Sequence, residues 1–208
     1  METETTAAEW VPEQPSLTKL RRAAGSCRGC ELWKDATQVV FSAGRRTAAL
    51  MLVGEQPGDR EDLSGEPFVG PAGRLLDRAL EDAGIARDDV YLTNAVKHFR
   101  NVQRGKRRLH QKPELRHLVA CRPWLEAELA VVRPDLVVAL GATAARAVLG
   151  RSAKIGAERG RLLDEPERRR TLITTHPSAL LRVRDRSERD AAYDDLVSDL
   201  ATAASALE

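Results

Sequence analysis

Four groups of residues carry side chains whose types and spacing suit chemistry. Glu55, Gln56, Asp59, Glu61 and Asp62 crowd into one loop directly behind an apolar run, an arrangement fit for acid–base work or for a cation. Cys27-Arg28-Gly29-Cys30 is a Cys-x-x-Cys that can aim two thiolates at one metal centre, with Cys121 as a third thiol. Redox pairs share that spacing, but no thioredoxin-like strand precedes it here, which favours metal. From Lys97 to Arg122, nine Lys/Arg stand against one acid, Glu114, and His98, His110 and His117 lie among them. Positive charge this local points to a polyanion docking there, because a merely solvated helix face interleaves acids. His176-Pro177-Ser178, after another apolar run, completes the set.

The elements that must position these groups follow from the apolar pattern. Ala48–Val53, Val90–Val96, Asp135–Leu140 and Thr171–Thr175 read as short buried strands. Helical spacing covers 17–24, 73–83 (stopped by Gly84), about 113–132, the Ala-rich run from Gly141 to Gly150, and 186–207. Strands alternating with helices predict an α/β fold: a three-layer α/β/α sandwich around a central, mainly parallel four-stranded sheet. The chain of 208 residues is expected to form a flexible leader over 1–16 and a single domain over 17–208, with a charged, irregular stretch from about 151 to 170. In such a sheet the loops Glu55–Asp62, Lys97–His110 and His176–Ser178 leave the same edge and can line one cleft.

Several classes are excluded. Gly70-Pro71-Ala72-Gly73-Arg74 lacks the Lys-Ser/Thr of a phosphate-binding P-loop, and no Rossmann G-x-G-x-x-G is present. No apolar run approaches the roughly 20 residues of a membrane span, and the acidic start lacks a signal-peptide pattern. A cytoplasmic, reducing setting is expected, where three cysteines suit metal or redox chemistry better than disulfides.

Gly54-Glu55-Gln56-Pro57-Gly58, Pro67-Phe68-Val69-Gly70, Thr93-Asn94-Ala95-Val96-Lys97 and His176-Pro177-Ser178-x-Leu180 resemble, in order, the motifs of the uracil-DNA glycosylase superfamily. They are most similar to its iron–sulfur branch, family 4. Lys106-Arg107-Arg108-Leu109-His110 resembles the Lys-Arg-Arg-x-His loop of the UdgX class, whose members excise uracil and stay covalently attached to the DNA through the loop histidine.

The resemblance implies a flipped uracil held in a pocket. Gly54 and Asp59 belong to its rim, Phe68 is the stacking platform, Asn94 reads the base edge with its amide, and His176, with Ser178 beside it, donates to the uracil oxygen that gains charge. Glu55 stabilises the sugar cation or helps position the attacking group, and Glu61 is a candidate for excluding thymine. Gln56 stands where several relatives keep a water-activating carboxylate; it has no basic form and is expected to position its neighbours. His110 is then the nucleophile at C1′, and Lys106, Arg107 and Arg108 clamp phosphates while like charge keeps its ring neutral.

The branch uses four cysteines for a [4Fe–4S] cluster; here His98 stands where the third would follow the Asn94-x-x-Lys97 strand end. The implied ligand set is Cys27, Cys30, His98 and Cys121, with zinc as the alternative metal. The expected partner is uracil-containing DNA, preferentially single-stranded, met by a monomer with no membrane association. The rival readings are a turnover glycosylase of the same fold and a non-catalytic iron–sulfur DNA-binding module.

Overall fold

The computed structural model describes residues 5–164 and 169–208. A 3-10 turn at Ala7–Trp10 precedes α1 (Leu17–Ala24), which Ser16 caps by accepting the Lys19 N–H. Beyond the Cys-x-x-Cys, a second 3-10 turn at Glu31–Lys34 leads to β1 (Ser42–Ala43) and β2 (Leu50–Gly54). Then follow α2 (Asp59–Ser64), α3 (Pro71–Asp82), β3 (Val90–Asn94), β4 (Asn101–Arg104) and β5 (Arg107–His110). The chain continues through α4 (Leu115–Val132), β6 (Leu136–Leu140), α5 (Gly141–Leu149), α6 (Ile155–Glu158) and β7 (Leu162–Leu163). It closes with β8 (Thr171–Thr174), α7 (Pro177–Leu180) and α8 (Arg186–Ser205).

The main sheet runs β1-β3-β2-β6-β8-β7. Its inner four strands, β3-β2-β6-β8, are parallel and are the four that the apolar runs predict. Two-residue antiparallel edges, β1 on β3 and β7 on β8, extend it to six. Each inner strand is apolar on both faces. Leu50, Leu52, Val90, Leu92, Leu136, Val138 and Leu172 pack with Leu76 and Leu80 of α3 and Leu196 and Leu200 of α8. Met51, Val53, Tyr91, Val137, Ala139 and Ile173 pack with Leu125 of α4 and Ala144, Ala145 and Leu149 of α5. Two buried faces make three layers, α/β/α. Gly54 sits level with Asn94, and Leu140 with Thr174, so the polar loops do leave one common edge.

Three expectations need correction. The leader reading of 1–16 does not hold for the described residues 5–16: Ala7 is buried in a cluster with Leu20, Ala24, Cys27, Leu118, Cys121 and Trp124. That burial ties this segment onto α4. The loop between His98 and His110 is a β-hairpin, β4 paired with β5 across Gly105-Lys106. Within the stretch expected to be irregular, α6 and β7 form, while residues 165–168 lie outside the described ones.

Candidate active site

At the carboxyl edge of the sheet a cleft of about 1000 Å³ opens, lined by Glu55, Gln56, Phe68, Asn94, His110, Thr143, His176 and Arg182 among others. Gly54 lies beneath the cleft, where β2 passes directly under two of the side chains that line it. A Cβ on Gly54 would lie 2.3 Å from Asn94 Oδ1 and 2.7 Å from Phe68 Cζ, so only hydrogen fits. Phe68 holds φ at +58°, an uncommon backbone state for a bulky residue and a cost that surrounding structure must support. Two contacts supply that support. Gly73 lets α3 start against the Phe68 carbonyl, which a Cβ would meet at 1.7 Å. Buried Glu61 accepts the N–H of Gly70 at 2.8 Å and that of Gly58 at 3.1 Å. Both Glu61 oxygens are thus spent on backbone, which makes it a brace for the Phe68 loop rather than a free gate against thymine.

His176 stands across the cleft with its ring roughly parallel to Phe68, centroids 6.4 Å apart. Its Nδ1 accepts the Ser178 N–H at 3.1 Å and pairs with the Ser178 hydroxyl at 2.9 Å. A ring nitrogen that accepts a backbone N–H carries no proton, so the proton of the neutral ring resides on Nε2. Burial, with help from Arg182 and His110, pushes this imidazole down to about 4, so it is neutral at physiological pH. Asn94 is buried at the end of β3, where the Lys97 ammonium donates to its carbonyl at 2.9 Å.

His110 ends β5 with its Nε2 3.5 Å from Glu55 Oε1, and Thr143 of α5 donates its hydroxyl to the other Glu55 oxygen at 2.5 Å. Burial lowers the His110 pKa most; Glu55 opposes this and Arg182 adds to it. The neighbouring cation is therefore Arg182, not the adjacent arginines the sequence suggests. Gln56 holds both roots of the hairpin. Its amide donates to the carbonyls of Arg100 and Gln111 at 3.3 and 3.0 Å and accepts the Arg100 N–H at 3.0 Å.

The hairpin lies over α2 through Arg108. Its guanidinium meets Asp59 at 2.7 Å, Asp62 at 2.5 Å and Thr37 at 2.9 Å, and it lies over Phe99. Arg108 is thus an internal anchor rather than a phosphate clamp, and Asp59 faces it although it also lines the cleft. The rest of the basic stretch divides in the same way. Lys97 is fully buried against Glu128 at 2.5 Å; Arg100 pairs with Glu114, Arg116 with Glu31 and Glu114, and Arg122 with Glu126. Their acids lie outside the Lys97–Arg122 window, Glu114 excepted, so local counting overstated the free charge. His117 is buried at the start of α4, accepting the Glu114 N–H and facing Glu31. Among the described residues no ion pair holds Arg104, Lys106, Arg107 or Lys112.

The three thiols are free and converge from two segments, the Cys-x-x-Cys and α4. Cys27, Cys121 and Trp124 share a buried cluster with Cys30 packed against it. The Trp124 ring N–H points at Cys27 Sγ and the Lys97 backbone N–H at Cys121 Sγ, both at 3.4 Å. Burial, reinforced by Cys30, pushes the Cys121 thiol up to about 12. His98 is buried beside Arg28, its ring pushed down to about 4 by burial, with no hydrogen bond to any described residue. Among the described residues no three His, Cys, Asp or Glu side chains close around a single ion. Buried thiols that receive N–H donors and a neutral imidazole without a partner fit, in chemical type, the softer ligand set of an iron–sulfur cluster.

The parallel sheet gathers a strained Phe, a buried Asn and a neutral His from its strand ends around one cleft. The chain belongs to the uracil DNA glycosylase superfamily, whose sequence model matches residues 41–201. It is similar to a type-4 uracil-DNA glycosylase of Thermotoga maritima, 36% identical over 171 residues, 82% of this chain and 85% of the relative. A type-4 enzyme of Pyrobaculum aerophilum is 35% identical over 173 residues, 80% and 85% of the two chains. A type-5 uracil-DNA glycosylase of the same organism is 33% identical over 153 residues, 65% and 63%.

Sequence reasoning missed Thr143, Arg182 and the Lys97–Glu128 pair. Arg182, six residues beyond His176, was the one within reach of a motif; the others depend on distant elements.

Proposed function

We propose that this protein is a uracil-DNA glycosylase that cleaves the uracil N-glycosidic bond and remains attached to the abasic site through His110. Membership of the superfamily and similarity to type-4 enzymes support the glycosylase activity. The observation that carries the attachment is the Nε2 of His110 facing Glu55 at 3.5 Å on the cleft wall, with amide Gln56 beside them.

In this reading Phe68 stacks the flipped base and Asn94 reads its edge. As the C1′–N1 bond breaks, its electron pair leaves with the uracil, whose charged oxygen takes a hydrogen bond from His176 Nε2–H. The Nε2 lone pair of neutral His110 forms the new bond to C1′, and Glu55 balances the positive charge on the sugar. The alkylated ring then loses its Nδ1 proton to solvent, and the uracil anion is protonated. No water is consumed. Gln56 cannot activate water to release the adduct.

Cys27, Cys30, Cys121 and His98 are the residues that would hold a [4Fe–4S] cluster. It would supply structure, pinning the N-terminal segment to α4 and to the root of the hairpin. The protein acts on DNA, and Lys106 and Arg107 are the phosphate contacts, with Arg108 holding the hairpin in place.

Incubation with a uracil-containing single-stranded oligonucleotide and denaturing electrophoresis tests the proposal. A heat-stable shifted band that disappears in His110→Ala is expected. Free uracil released over many turnovers without a shifted band overturns the attachment. Salt-sensitive binding indifferent to uracil, with no excision, overturns the enzyme.

A further inference from the structure

The β4–β5 hairpin sorts its side chains by register. Cross-strand partners in an antiparallel pair lie on one face. Asn101 pairs with His110 and Gln103 with Arg108, whereas Val102 pairs with Leu109 and Arg104 with Arg107. The first face is turned inward: His110 meets Glu55, and Arg108 meets Asp59 and Asp62. The second is therefore turned outward. Val102 is 47% exposed and Leu109 37%, and Arg104 and Arg107 are exposed beside them without an ion pair among the described residues. Lys106 adds a further cation at the tip.

An exposed Val–Leu pair gives the hairpin no core to cover on that side. Two uncompensated guanidiniums next to it match a strand that is both apolar and anionic, which describes unpaired bases on a phosphate backbone. Aliphatic side chains serve such contacts elsewhere by wedging against unstacked bases. The inward face of the same ribbon carries the residue that meets the flipped nucleotide, so a strand leaving the cleft passes over this element.

We infer that the outward face of the hairpin is a docking surface for the single-stranded segment flanking the uracil, with Val102 and Leu109 against an unstacked neighbouring base and Arg104 and Arg107 on its phosphates. The surface gives a physical basis for single-strand preference, since a paired base is stacked and cannot present its face. The inference rests on the glycosylase reading and extends the substrate beyond the excised nucleotide.

The test compares uracil excision from a long single strand with excision from a uracil trinucleotide too short to reach the outward face. Val102→Thr/Leu109→Thr is expected to lower the long-to-short ratio of single-turnover excision rate constants, measured at subsaturating enzyme, about tenfold. Taking the ratio cancels any general loss of folded enzyme. Val102→Ile/Leu109→Ile, which keeps the apolar contact, should restore it. Separately, Arg104→Gln is expected to reduce the slope of log binding constant against log salt on a uracil-free strand by about 0.7, the share of one phosphate on single-stranded DNA. An unchanged ratio together with an unchanged slope overturns the docking surface. If the wild type excises from neither substrate, the glycosylase reading fails, and the salt slopes on uracil-free strand still decide the surface.

Discussion

At the scale of single residues, protonation states are set by backbone donors and burial more than by neighbouring charge. His176 illustrates this, because the Ser178 N–H on its Nδ1 dictates which nitrogen faces the cleft. Its folded pKa of about 4 lies below the ordinary 6.5. Between those values the unfolded chain binds the proton and the native one does not, so stability rises with pH across the window and is lost as pH falls from about 6.5 toward 4. The ring's cleft-facing edge remains partly exposed, which limits the contribution to on the order of 2 kcal/mol. Urea midpoints at pH 7 and pH 5 measure it: the wild type should lose more stability on acidification than His176→Asn, and equal losses would rule the effect out. His98 shifts in the same direction and is common to both proteins, so the difference isolates His176.

At the scale of elements, the inner strands were legible because each is a short, mainly apolar run buried on both faces. The hairpin was not. Its strands alternate between polar and exposed positions, and it is fixed by Arg108 reaching acids almost fifty residues earlier in the chain and by the Gln56 amide, contacts invisible to a local pattern. Lys97 misled for the same reason: counted as part of a basic surface, it is buried with Glu128, Thr93 and the Asn94 carbonyl at the junction of β3 and α4. Removing one member of a buried pair leaves the other uncompensated. Lys97→Met is expected to cost about 3–5 kcal/mol of unfolding free energy and to impair uracil binding through Asn94. Lys97→Met/Glu128→Leu should recover much of the stability. Denaturant titration of the two variants checks this, and a double variant no more stable than the single one would contradict it.

At the scale of the whole molecule, the family motifs were readable because residues far apart in sequence keep their order along one sheet edge. What joins the N-terminal segment to that edge was not readable, since its packing on α4 brings buried Ala7 and the thiols of two distant segments, Cys27 with Cys30 and Cys121, into one cluster. If those thiols and His98 hold an iron–sulfur cluster, purified protein absorbs visible light and contains iron, and Cys121→Ala loses both together with thermal stability. A colourless, zinc-loaded protein would reverse that assignment. The two ends of this assembly meet at Gln56, whose amide grips both roots of the hairpin. A glutamate there would gain a proton acceptor but lose the two N–H donors, setting carboxylate oxygens against the carbonyls of Arg100 and Gln111. One position thus couples two outcomes. If His110 holds the abasic site as proposed, a lineage that acquired hydrolysis by that exchange would at once loosen the hairpin that carries it, so capture and release would lie a single codon step apart.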